Sequence, residues 1–220
     1  MKNSRKLLGK EISLAASPLS WLFILFALMA MIPGYPILVG AFFACFGIFQ
    51  SFQSGRENND ILYTVLLPVS KTDAVKAKYR FAIMIQMIFF AISALLTLVR
   101  MIWMTKAAPY VTNPMMNANQ FYLACILLVF AIFNTVFLCG FFKTAYKFGK
   151  PFVLFIIITF IFILAVEVVH HLPGLEFLNE TATLGNVTMW CIFAAALAIY
   201  AVATAISCQV AKKRFERVDM

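Results

Sequence analysis

Acidic residues are scarce in this chain. Of 220 residues only 9 are Asp or Glu, against 18 Lys or Arg, and charged residues of both signs make up 12%. Soluble domains carry roughly twice that fraction, so the scarcity, together with 63% hydrophobic residues, excludes a water-solvated globule. Catalytic groups are equally sparse. Glu167, His170 and His171 share a helix face at i, i+3 and i+4, but no second Glu-x-x-His, no His-Glu-x-x-His and no paired-carboxylate element supplies the further ligands a metal or hydrolytic site needs. No catalytic residue and no metal are expected. The trio is read as marking the outer end of a helix and meeting polar groups of the 172–186 segment.

A nucleotide-binding loop is also missing. No Gly-x-x-x-x-Gly-Lys-Ser/Thr occurs, and Gly9-Lys10 and Gly149-Lys150 lack both the preceding glycine spacing and the following hydroxyl residue. The chain is therefore not expected to hydrolyse ATP by itself. The five cysteines, Cys45, Cys125, Cys139, Cys191 and Cys208, lie in apolar stretches without close metal-ligand pairs. An odd number of buried thiols argues against a disulfide framework, and they are read as packing residues.

What the chain has in abundance is hydrophobic length. A helix rises about 1.5 Å per residue and the hydrocarbon core is about 30 Å thick, so a crossing takes about 20 apolar residues. Six such stretches run near 19–32, 37–53, 81–103, 121–142, 152–169 and 187–209. The first two are short and flank Pro33-Gly34-Tyr35-Pro36, which leaves a re-entrant pair as the alternative, but Ala15, Ala16 and Tyr35 extend them to spanning length. The expected fold is an all-α membrane protein of six transmembrane helices. Only a basic stretch precedes the first run and no small-residue cleavage pattern follows, so no removed signal peptide is expected.

Basic residues set the orientation. Lys2, Arg5, Lys6 and Lys10; Arg56, Lys71, Lys76, Lys78 and Arg80; Lys143, Lys147 and Lys150; and Lys212, Lys213, Arg214 and Arg217 fall on one side, leaving only Arg100 and Lys106 for the other. Cytoplasmic loops retain Lys and Arg, so both termini are expected inside, in a multi-pass protein of a bacterial cytoplasmic membrane. The net charge of +9 is then a topology signal with attraction to anionic lipid headgroups, and no nucleic-acid partner is implied. The organisation is residues 1–17 as an amphipathic interfacial helix, 18–210 as the transmembrane domain with a cytoplasmic segment at 54–80, and 211–220 as a basic tail. On the first of these, Leu7, Leu8, Ile12 and Ala15 form the apolar side while Lys2, Arg5, Lys6 and Lys10 reach headgroups, the alternative being a frayed basic tail that only enforces topology.

Polar groups inside the spans are few and costly. Gln86, Ser93 and Arg100 are spaced by seven with Thr97 near the same line. With Gln50 they form a candidate substrate pathway, the alternative being interhelical hydrogen bonds with Arg100 snorkelling to outer headgroups. Gly40, Ala44 and Gly47, and separately Ala194, Ala198, Ala201 and Ala205, form small-residue ridges for close helix contacts within or between subunits.

The 54–80 segment carries the most information. Asn58, Asn59 and Asp60 supply capping side chains; Ile61, Leu62, Val65 and Leu66 make an apolar face; Pro68 stops the helix; and Ser70 with Asp73 has capping-box spacing ahead of the third span. A short amphipathic helix presenting Tyr63 would thus be held between two spans, either docking a soluble partner or lying among headgroups. The run Arg56-Glu57-Asn58-Asn59-Asp60, then Leu66-Leu67-Pro68-Val69-Ser70-Lys71 and Ala77-Lys78-Tyr79, resembles the conserved cytoplasmic segment of small permease subunits of type-2 ATP-binding-cassette exporters, the peptide-exporting permeases of phenol-soluble modulins and bacteriocins among them. Family members often carry an acidic-basic pair ahead of this motif, where this chain has Arg56-Glu57 reversed.

The resemblance implies that Asn59, Asp60, Ile61, Leu62, Tyr63, Val65 and Leu66 form a coupling helix docking on a separate ATPase subunit, which binds the ATP and Mg. It also implies pairing with a second copy or a paralogous permease, and export of an amphipathic peptide, with lipid-like compounds or drugs as the alternative cargo. An interior rich in Phe and Met, 24 and 11 in the chain, suits amphipathic cargo. An integral-membrane enzyme, a secondary transporter and a non-transporting immunity or sensor subunit are the competing classes. The first lacks nucleophile pairs, and the second lacks repeats and a mid-bilayer carboxylate.

Overall fold

The computed structural model describes residues 2–218 apart from Leu67, Pro68 and Ala145, and the side chains of residues 2–5, Ala15, Leu62 and Val65 also lie outside the description. Every regular element among the described residues is helical. Helix α1 (Lys2–Lys10) continues as a π turn over Glu11–Ala15. After a break, α2 (Pro18–Leu22) opens with the Ser17 hydroxyl accepting from the Leu19 amide and Pro18 in the first turn, where its missing N–H costs nothing. It runs on as a 3-10 helix over Phe23–Met31. Then follow α3 (Val39–Glu57), α4 (Asp60–Leu66), α5 (Lys71–Trp103), α6 (Ala108–Val111), α7 (Gln120–Phe141, with a π turn at Phe133–Leu138), α8 (Gly149–Val169) and α9 (Val187–Glu216).

The described helices and their connections gather at two ends of one bundle. Contacts of Lys78 with Glu11, of Arg56 with Tyr146 and of Lys71 with the Val218 carbonyl gather both chain ends, α4 and the α7–α8 connection at one end. Gly34 with Asn113, and Asn117 with Asn179, join the connections at the other. The sixteen basic residues grouped from sequence thus belong to segments that meet at a single, basic end. Four helices, α5, α7, α8 and α9, are long and apolar enough to cross a membrane, and the bent pair at the start of the chain would make a fifth span.

The first two of the six expected spans are less regular than the sequence suggests. Pro18–Met31 qualifies only together with Lys6–Leu14 across a 94° bend, and α3 does not qualify. The 3-10 stretch has a physical consequence here: at about 2.0 Å rise per residue it lengthens Pro18–Met31 to about 25 Å, against about 21 Å as pure α-helix.

Close packing of α2 on α3 depends on glycine. A Cβ on Gly40 would lie 2.7 Å from the Phe26 carbonyl oxygen, and one on Gly47 would lie 3.0 Å from the Ser20 Cα. The first small-residue ridge is therefore spent inside the subunit. Ala194, Ala198, Ala201 and Ala205 are instead exposed along α9. Rings fill the centre: Phe49 stacks on Phe152 at 3.6 Å, and Phe42, Phe133, Phe137 and Phe155 pack around them. Between helices in lipid such van der Waals contact drives association, because lipid tails are as apolar as the side chains. Cys45, Cys125 and Cys139 are buried in this packing; Cys191 is exposed, against the expectation of a buried thiol.

Candidate functional site

Asn59 takes φ 51°, a left-handed turn that Asn tolerates, and this reverses the chain between α3 and α4. The reversal aims Asp60 inward. Ser70 caps α5, its hydroxyl accepting from the Asp73 amide at 3.1 Å. Helix α5, about 50 Å long at 33 residues, outruns the hydrocarbon, so its first turns stand beside α4 and α1.

Four charges converge there. Lys78 Nζ donates to Glu11 Oε2 at 2.7 Å and to Asp60 Oδ2 at 2.8 Å, while Lys10 Nζ lies 2.5 Å from Asp60 Oδ1 and 3.2 Å from Glu11 Oε1. Glu11, Asp60 and Lys78 are buried. Two acids and two lysines make the cluster neutral, which is the condition under which burying charge is tolerable. Burial pushes the Asp60 carboxyl up, but attraction to Lys78 and hydrogen bonds from Lys10 and Lys78 outweigh it and hold the group below its ordinary value. The Thr64 hydroxyl adds a bond to the Asp60 carbonyl at 2.7 Å and accepts from Lys10 at 2.5 Å.

With Asp60 and Thr64 turned in, α4 presents Asn59, Tyr63 and Leu66 outward, the last two 66% and 75% exposed. Ile61 is half-buried against the core. Leu62 and Val65, expected on the apolar docking face, lie outside the described side chains, as do Leu67 and Pro68 of the motif. A cavity of about 510 Å³ beside α4 is lined by Leu14, Asn58, Tyr63 and Leu66 above Lys10 and Asp60. The expectation for α1 changes accordingly. Lys10 does not reach headgroups but closes the charge cluster, and Leu7 is buried.

The polar line on α5 is covered by the subunit's own helices. Gln86 exchanges hydrogen bonds with Asn134 at 2.9 and 3.2 Å, Asn134 donates to Thr204 at 2.9 Å, and the Tyr200 hydroxyl donates to Gln86 at 3.0 Å. The Asn134 carbonyl, in the π turn that disrupts the α-helical ladder, accepts from Ser207, which also pairs with the Tyr79 hydroxyl at 2.7 Å. Ser93 and Thr97 are fully buried, and Gln50 is half-buried on α3. Gln86, Ser93 and Thr97 are thus enclosed within one subunit. Asn134, Tyr200, Thr204 and Ser207 were missed from sequence; the signal was a lone amide midway along the fourth apolar run.

Arg100 does not snorkel. It donates to the Ala30 carbonyl at 2.7 Å and to Asn117 Oδ1 at 2.8 Å, with Tyr110 stacked 4.0 Å below. Its cation meets the carboxyl-terminal end of the 3-10 stretch, where unpaired carbonyls concentrate negative charge. Glu167 accepts from the Met116 amide at 3.0 Å and His170 lies 3.4 Å from the Pro114 carbonyl. Glu167 and His170 therefore take their polar partners from the α6–α7 connection, where the 172–186 segment was expected to supply them. Among the described residues no group of three His, Cys, Asp or Glu side chains could hold a metal ion.

A bundle whose regular elements are helical among the described residues, with four long apolar helices and a buried four-charge cluster at one end, defines a multi-pass membrane subunit. The sequence matches the family model for the ABC-2 family transporter protein over residues 6–216, and the chain belongs to that family. It is thereby a permease component of an ABC transporter, a class that works with ABC ATPase partners. No curated protein and no solved structure matches the chain.

Proposed function

We propose that this chain is one permease half of an ATP-driven exporter that moves amphipathic peptides outward across a bacterial cytoplasmic membrane. It makes six crossings with both termini inside, and a separate ATPase binds the ATP and Mg. The observation that carries the reading is the mounting of α4. A two-turn helix fixed by buried charges to a transmembrane helix, with Tyr63 and Leu66 exposed beside a 510 Å³ cavity, is built to pass displacement of a docked protein into α5. A helix resting on lipid needs no such fixture. The exposed alanine ridge on α9 supports pairing with a second copy or a paralogue, since small residues let helix backbones approach closely.

The test pairs Tyr63→Ala with Leu66→Ala in the assembled transporter. Interface anchors typically cost more than about 1 kcal/mol on truncation, so ATPase retention should fall at least several-fold and substrate-stimulated hydrolysis should drop, with membrane insertion intact. Tyr63→Asp should abolish stimulation outright. Normal coupling in a correctly inserted Tyr63→Asp protein would remove the docking assignment. For the cargo, a panel of amphiphiles on reconstituted transporter should show stimulation by amphipathic peptides; stimulation by lipid-like compounds or drugs alone would reassign it.

A further inference from the structure

A second site lies at the basic end, away from the charge cluster. A groove of about 540 Å³ opens where α7 ends and α8 begins, and Lys143, Lys147, Lys150 and Arg214 line it. No carboxylate is among its lining residues, and among the described residues none of these four cations is in an ion pair. Arg214 spends Nη1 on the Cys139 carbonyl at 2.9 Å, which fixes α9 to the rim. The Thr144 hydroxyl accepts from the Lys147 amide at 2.9 Å, and Lys147 and Lys150 line the same groove.

Helix α8 adds to the positive field. It has no side-chain cap at Phe148 and no acid in its first turn, where Lys150 stands instead. A helix amino terminus carries about half a positive charge with unpaired N–H groups, and a lysine there is repelled. Three lysines, an arginine and an uncapped helix start therefore line one space, with no carboxylate among the described residues that line it. The remaining wall is apolar: Val136, Pro151 and Leu154 continue from the basic rim along the bundle. The floor is tight, since a Cβ on Gly140 would lie 2.9 Å from Pro151 Cβ.

We propose that this groove binds one anionic phospholipid, its phosphate held by Lys143, Lys147 and Lys150 and an acyl chain laid along Val136, Pro151 and Leu154. Charge and shape agree on this occupant: a basic rim at the depth where helices emerge, over an apolar wall that runs into the bilayer, matches an amphiphile with an anionic head. The site is independent of the transport reading, because it needs only that α7 and α8 stand in a membrane.

The test titrates phosphatidylglycerol into the detergent-solubilised full-length protein and follows the thermal unfolding midpoint. The wild type should be stabilised saturably, while phosphatidylcholine, whose choline cation cancels the phosphate charge, and glycerol phosphate, which lacks the chains, should not stabilise it. Lys143→Gln, Lys147→Gln and Lys150→Gln together should raise the half-saturating concentration on the order of a hundredfold, from about fivefold per lysine. The matching triple Arg variant should bind as the wild type does. Val136→Trp, which leaves every charge in place, should also weaken lipid binding. Removing equal charge elsewhere at the same end, with Lys6→Gln, Lys213→Gln and Arg217→Gln, should change binding little. Equal loss in that control, equal stabilisation by phosphatidylcholine, or protection of the three lysines from acylation only when the ATPase is bound would overturn the proposal, the last by making the groove a protein contact.

Discussion

Lys78 on α5 and Asp60 on α4 meet at 2.8 Å in a buried cluster that Glu11 and Lys10 complete. One ammonium thereby joins the amino-terminal segment, the short helix and a long apolar helix. Substituting Lys78→Met leaves Glu11 and Asp60 sharing Lys10 alone. Hydrogen bonds to charged groups contribute about 1.5–3 kcal/mol, so a loss of that order is expected in the unfolding of the purified protein, together with poor coupling to the ATPase. The exchange of Lys78→Asp with Asp60→Lys should recover part of both, because it preserves the neutral count. Equal damage in the single and exchanged variants would show that the cluster is a packing site and not an electrostatic one.

Acid should act on this cluster late. The Asp60 carboxyl is held below its unfolded value of about 3.9, so its contribution is present above that pH and is lost only as pH falls through the lower folded value. The difference in unfolding midpoint between wild type and Asp60→Asn should stay constant from pH 7 to about 5 and shrink below about 4. A difference that vanishes near pH 6 would contradict the lowered value.

Asn134→Leu should loosen the seam between α5, α7 and α9. It strands the Gln86 Nε2 donor and Thr204, leaves Gln86 Oε1 to Tyr200 and leaves the Asn134 backbone carbonyl to Ser207. Interhelical hydrogen bonds in membranes average about 0.6 kcal/mol and reach about 1.7, so a loss of about 1–2 kcal/mol is expected in unfolding from lipid or detergent, with α7 still helical. No change would assign the amide another role.

Topology is open to direct labelling. Single cysteines introduced at the exposed positions Thr112 and Gly174, in a cysteine-free background, should react with a membrane-impermeant reagent outside intact cells. Those at Asn58 and Lys147 should not. External labelling of Asn58 would reverse the orientation or change the number of crossings.

Composition and periodicity were enough to read the membrane class, four long apolar helices and the grouping of basic residues, because a hydrocarbon solvent forces apolar length and charge asymmetry into the sequence itself. The Ser70 cap and the short helix before it were legible for a similar reason: capping and helical spacing act within a few residues. Which charges meet was not legible. Lys10 and Lys78 look like any solvated or topogenic lysine, and only folding brings Glu11 and Asp60, 67 and 18 residues away from Lys78, into contact with it. The same holds for Gln86 and Asn134, whose pairing depends on the rotation of α5 against α7, and for Arg100, whose partners come from the 3-10 stretch after α2 and from the α6–α7 connection. Side-chain pairing between distant segments is fixed by how rigid helices pack, and helical period records only which residues share a face, not what that face will touch.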